Sequence, residues 1–144
     1  MQQENTLIGT WQLVSWHNKH ADGSKTYTLG KDALGYISYS PDGFVFVHLM
    51  AANRVLFSEN DPFGGTQAED SAAMKSQITY AGTFDYSGDQ VVHTVTQSCC
   101  PNWVGTKQVR DVKFQGSDLI LSAAGAKLDG KIVTAELHWN RAGR

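Results

Sequence analysis

Cysteine is nearly absent from this 144-residue sequence, and the two present, Cys99 and Cys100, are neighbours in the chain. A bridge between adjacent residues is strained, so there is no disulfide framework, and reduced thiols in the cytoplasm are the expected state. Proline is scarce too, three residues against fourteen glycines. That balance suits a chain of many tight turns, because glycine reaches positive φ without steric cost. Neither sign of charge predominates, and the formal net charge is −2. No run of Lys or Arg forms a stripe to hold a phosphate backbone, which argues against nucleic acid as a partner. No stretch of about 18 apolar residues is present to span a membrane. The opening Met-Gln-Gln-Glu-Asn lacks the basic start and apolar core of a secretory signal, in keeping with a cytoplasmic protein.

Apolar residues make up 41% of the chain and charged residues 18%, enough to bury a core within one domain spanning residues 1–144. Turn signals recur along it: Ala21-Asp22-Gly23-Ser24, Pro41-Asp42-Gly43, Ser87-Gly88-Asp89, Gln115-Gly116-Ser117 and Leu128-Asp129-Gly130. These are the residue types that tight hairpin loops require. Between them lie runs rich in β-branched and aromatic residues. Strands are expected at about 7–17, 34–39, 44–51, 78–86, 90–98, 105–114, 118–123 and 131–139, with a short extra strand near 25–29. Residues 53–77 break the pattern. There Thr66-Gln67-Ala68-Glu69 has capping-box spacing and is followed by the helix formers Ala72, Ala73 and Met74, which predicts one inserted helix of two to three turns.

Alternation along each strand assigns the faces. Leu7, Gly9, Trp11 and Leu13 share one face of the first strand. In the third, Phe44, Phe46 and His48 oppose Val45, Val47 and Leu49, so both faces are apolar. That strand is expected beneath the helix or at a partner surface, and a homodimer is one such arrangement. Tyr80, Gly82, Phe84 and Tyr86 share a face of the fourth strand, and Val91, His93, Val95 and Gln97 one of the fifth. In the sixth, Lys107, Val109, Asp111 and Lys113 form a solvated face, which turns Gln108, Arg110, Val112 and Phe114 inward. A guanidinium in a core is costly unless paired. A few polar groups among apolar ones inside a barrel fit a ligand pocket.

Leu7-Ile8-Gly9-Thr10-Trp11-Gln12-Leu13-Val14-Ser15 resembles the first strand of bacterial and fungal lipocalin-like domain proteins. The similarity continues through Gly35-Tyr36-Ile37-Ser38-Tyr39-Ser40-Pro41-Asp42-Gly43 and Tyr80-Ala81-Gly82-Thr83-Phe84, and ends with Pro101-Asn102-Trp103-Val104-Gly105-Thr106-Lys107-Gln108-Val109-Arg110. It implies an all-β, antiparallel, up-and-down lipocalin-like barrel of about eight strands with one short inserted helix. The Gly-x-Trp element also resembles that of the wider calycin group. That resemblance implies that Trp11 closes one barrel end beneath an arginine near the last strand, here Arg141.

No metal-ligand spacing is present, since His48, His93 and His138 are dispersed and His17 and His20 fall at a strand end and a turn. No glycine motif for a nucleotide and no Gly-x-Ser-x-Gly occurs. No cofactor is therefore expected. Arg110, Gln108, His93, Phe84, Phe114, Tyr80, His48 and Trp103 are the candidate ligand-binding residues. Each also has an ordinary reading: Arg110 as a paired core or rim charge, His93 as a hydrogen-bonded barrel residue, Trp103 as a plug or wall. Three functions stay open. One is an intracellular binding barrel for a small, largely apolar or aromatic molecule with a polar handle. A second is a cofactor-independent isomerase or cyclase using His93, His48 or Tyr80 as acid–base groups. The third is a filled barrel acting in partner interaction.

Overall fold

The computed structural model describes residues 4–144, with side chains from residue 6 onward. The reading of Met1, Gln2 and Gln3 as lacking a signal lies outside the described residues. A one-turn helix α1 (Glu4–Leu7) leads into β1 (Gly9–Lys19), β2 (Lys25–Thr26), β3 (Leu34–Tyr39) and β4 (Phe44–Met50). Helix α2 (Gln67–Lys75) precedes β5 (Gln77–Tyr86), β6 (Gln90–Ser98), a 3-10 turn (Pro101–Trp103), β7 (Lys107–Gln115), β8 (Asp118–Leu128) and β9 (Lys131–Arg141). Each strand from β3 onward pairs antiparallel with its successor, and β1 pairs with both β3 and β9. The sheet thereby closes into an eight-stranded antiparallel barrel, with the two-residue β2 as a flap on β1. Closure satisfies the edge hydrogen bonds that an open sheet would expose.

Side-chain size divides the interior. Trp11, Trp139, Tyr39, Phe84 and Leu119 fill one end, all buried. Toward the other end β8 and β9 turn in Ala123, Ala126 and Ala135, too small to meet across the barrel. That difference in volume leaves space. Helix α2 buries none of its residues. It stands on its capping box, in which Thr66 Oγ1 accepts from the Glu69 N–H and Glu69 Oε1 accepts from the Thr66 N–H.

Four expectations are corrected. Leu7 ends helix α1 rather than opening the first strand, and β1 begins at Gly9 and runs to Lys19. The eighth strand runs to Leu128 instead of ending at 123; pairing with β9 outweighs the low strand propensity of Ala123-Ala124-Gly125-Ala126, with an irregularity between Ala123 and Ala126. Phe44 and Phe46 are exposed on the outer face of β4, so α2 does not cover that strand. Gln97 is exposed too: β6 carries an extra residue where Ala81–Gly82 of β5 face Gln97 and Val95, and the bulge flips every side chain beyond it.

Candidate functional site

The space inside the barrel is a cavity of about 460 Å³, within the range of small-molecule sites. Its walls come from all eight barrel strands and the 3-10 turn. Trp16, Trp103 and Trp139 supply aromatic surface, and Ile37, Leu49 and Leu121 aliphatic surface. The lining residues Ala124, Gly125 and Lys127 are exposed, and there the cavity meets solvent.

Its polar wall centres on His93, placed inward on β6 between Val91 and Val95 and only 1% exposed. His93 Nε2 lies 2.7 Å from Tyr39 Oη and Nδ1 lies 2.6 Å from Tyr80 Oη. A neutral imidazole has one N–H and one lone pair, so one tyrosine donates and the other accepts. Tyr39 is fully buried and does not line the cavity, and its hydroxyl has no other hydrogen-bond partner among the described residues. Were Tyr39 the acceptor, its own proton would be buried unpaired at a cost of about 1–3 kcal/mol. Tyr39 therefore donates to Nε2, Nδ1–H donates to Tyr80 Oη, and the Tyr80 proton is left for the cavity that Tyr80 lines. Burial, then the nearby Arg110 charge, pushes the imidazole down to about 3. The ring is neutral at neutral pH. Burial raises both tyrosine phenols, with Arg110 pulling each the other way.

Arg110 and Gln108 project inward from β7, whose burial alternates from Lys107 to Lys113 before Phe114, expected inward, emerges exposed at the strand end. Arg110 Nη2 donates to Gln108 Oε1 at 3.2 Å, and Nη1 to the Val109 carbonyl at 3.1 Å. Among the described residues no carboxylate forms an ion pair with Arg110. Trp103 stands edge-on to the Tyr80 ring, centroids 5.8 Å apart, and completes that wall.

Residues 8–142 match the family described as lipocalin-like domain. The chain belongs to the lipocalin-like domain family. A curated relative, the 4'-hydroxy-3'-methoxypropiophenone carrier protein ppsC of Aspergillus oryzae, is 38% identical over 66 residues. That alignment covers 40% of this chain and only 60% of the relative. Among solved structures, a lipocalin-like protein from Bacteroides uniformis superposes with a TM-score of 0.50 at 12% identity, covering 95% of this chain and 99% of that one. A variant of the fluorescent protein UnaG aligns over 96% and 97% of the two chains at 13% identity, with a TM-score of 0.42.

Within this lipocalin-like barrel, five of the eight candidate residues share the cavity wall: Tyr80, His93, Trp103, Gln108 and Arg110. The other three do not. His48 is exposed on the outer face of β4, beside Tyr36 and Phe46, because β4 alternates without a bulge and Val47 takes the inward position. Phe84 is buried beneath the cavity, edge-on to Tyr39 at 4.8 Å between centroids. Phe114 packs on Trp11 at the closed end, 6.4 Å between centroids. Sequence reasoning missed Tyr39, Trp16 and Trp139. Tyr39 was readable from its alternation with Gly35 and Ile37. Trp16 was not: strict alternation sets it opposite Trp11 and Leu13, and only the β1 irregularity between Leu13 and Ser15 turns it inward.

Proposed function

We propose that this lipocalin-like barrel is a cytoplasmic carrier for a small, largely apolar, aromatic molecule, held by a polar handle at Tyr80, Gln108 and Arg110. The observation that carries this reading is the Tyr39–His93–Tyr80 chain lying against the cavity beside an Arg110 that has no carboxylate partner. Three tryptophans give the remaining wall the flat apolar surface that an aromatic ring needs. The relative's name, a carrier of an aryl ketone, supports the same class of cargo. The unbridged Cys99 and Cys100 suit a reducing compartment.

Holding is favoured over catalysis by the occupancy of His93. Both ring nitrogens are engaged by tyrosines, and the ring resists protonation. It has no free lone pair with which to take a proton from a bound molecule.

The test is a titration with 4'-hydroxy-3'-methoxypropiophenone, read by tryptophan fluorescence and by thermal shift. Saturable quenching with a raised Tm is expected. Arg110→Met keeps most of the side-chain volume and removes the charge. A hydrogen bond to a charged group contributes about 1.5–3 kcal/mol, so affinity should fall roughly ten- to a hundredfold. Unchanged affinity in that variant, or no binding by the parent protein, would overturn the reading.

A further inference from the structure

The side-chain polar groups left over on the cavity wall are alike in one respect. Tyr80 receives the His93 Nδ1–H and keeps its own proton to give. Gln108 uses Oε1 on Arg110, and its amide N–H groups remain. Arg110 has only donors to offer, and the exposed Lys107 and Lys127 stand at the rim with their charged heads toward solvent. Trp139, which lines the same cavity, carries an indole N–H without an acceptor among the described residues. Among the described residues no Asp or Glu side chain lines the cavity. Every other strand facing it, β1, β3, β4 and β9, contributes uncharged side chains.

An array of donors around one inward guanidinium, with no acid among the described lining residues, is matched by an oxygen acceptor, and most fully by an oxyanion. We propose that the cavity binds its ligand as the conjugate base of a phenol, enol or carboxylic acid, with the oxyanion set against Tyr80 and Arg110. Tyr39 acts as a positioning residue. By donating to His93 Nε2 it holds the tautomer whose Nδ1–H faces Tyr80, and so directs the Tyr80 proton outward. An ammonium or other donor-only handle finds no carboxylate among the described lining residues. This inference rests on the binding reading above, and its test separates the two.

The probes are 4-nitrophenol, whose phenolate absorbs in the visible, and 4-nitroanisole, the same shape without an ionisable oxygen. Each is titrated onto the full chain by tryptophan quenching, and the absorbance of bound 4-nitrophenol is followed against pH. The bound dye is expected to ionise about one pH unit or more below the free dye, as groups beside an opposite charge do. A site that favours the phenolate to that extent should also bind 4-nitrophenol at least about tenfold more tightly than 4-nitroanisole. Arg110→Met and Tyr80→Phe should each bring the ionisation of the bound dye most of the way back to that of the free dye. Tyr39→Phe should bring it part of the way back with the fold retained by circular dichroism, although Tyr39 touches no ligand. Equal binding of the two probes, with the dye ionising as it does in solution, would overturn the oxyanion while leaving the binding barrel standing. Ionisation in Tyr39→Phe as low as in the parent protein would overturn the positioning role. Binding of neither probe would overturn both.

Discussion

His93 ties the site to stability. Its imidazole titrates at about 3 in the folded protein, because burial first and Arg110 second disfavour the cation, against about 6.5 in an unfolded chain. Between those values the unfolded state takes up a proton that the native state refuses, so protonation favours unfolding. The contribution is complete above pH 6.5 and is lost progressively as the pH falls toward 3, at up to about 1.4 kcal/mol per pH unit. Urea unfolding at pH 6.5 and 4.5 should show a loss on the order of 2–3 kcal/mol from this group. His93→Gln, although less stable at neutral pH, should lack that part of the decline. Parallel pH dependence in the two proteins would mean that the imidazole is hydrated in the native state. The tyrosines beside it resist ionisation, for burial raises both phenols. The Tyr80 proton therefore stays available to a ligand across the whole neutral range.

Among the elements, β5 and β6 carry the site, and a single glycine sets how they meet. A Cβ on Gly82 would lie 1.8 Å from the Thr94 carbonyl oxygen. The two backbones approach that closely at the bulge, between the Tyr80 and Phe84 positions that surround His93. Gly82→Ala should therefore cost about 3 kcal/mol or more, since backbone and not a flexible side chain stands in the way. Thr66→Ala in the exposed capping box should cost about 1 kcal/mol. Chemical denaturation of both variants checks the order, and an equal cost would mean that the bulge relaxes freely. The same bulges mark the limit of what the sequence disclosed. Hairpins were legible where Asp42-Gly43 and Asp129-Gly130 punctuate alternating runs, and the bounds of β3 match those expected. Polar alternation on β7 was legible because Lys107, Asp111 and Lys113 declare the wet face. An extra residue in β1 or β6 leaves no compositional mark, yet each reverses the facing of everything beyond it. Trp16 and Gln97 were lost to that. The length of β8 was hidden for another reason: its Ala-Ala-Gly-Ala stretch is held in the sheet by β9 and not by its own propensity. Those small residues make the room for the cavity, so the least strand-like segment is the one the site depends on.

At the scale of the whole molecule, the barrel has one open and one closed end, and the closure joins both ends of the chain. Trp11 on β1 is 1% exposed and donates its indole N–H to the Leu7 carbonyl at 2.9 Å. The Arg141 guanidinium from the end of β9 lies 3.9 Å from the Trp11 ring centroid. Its two terminal nitrogens donate to the Ile8 and Thr6 carbonyls at 2.6 and 2.8 Å. Glycine is needed between them: Gly9 has φ +123°, and a Cβ there would stand 2.8 Å from Arg141 Nη1. The Gly-x-Trp spacing thus clears a path for the arginine across the ring and onto the backbone of the first turn. Trp11→Ala should cost about 3–5 kcal/mol, as for other large buried aromatics. Arg141→Met should cost less, about 1–2 kcal/mol, because the guanidinium is exposed and its hydrogen bonds exchange with water. The two losses should not add. A cation over an indole face contributes about 0.5–2 kcal/mol, and that shared part vanishes with either partner. A double-mutant cycle by urea unfolding should accordingly return a coupling near 1 kcal/mol, while ligand affinity at the far end stays within about twofold in Arg141→Met. A coupling of zero would mean that the arginine and the tryptophan stabilise the closed end independently. Affinity falling in step with stability would show instead that the two ends of the barrel behave as one cooperative unit.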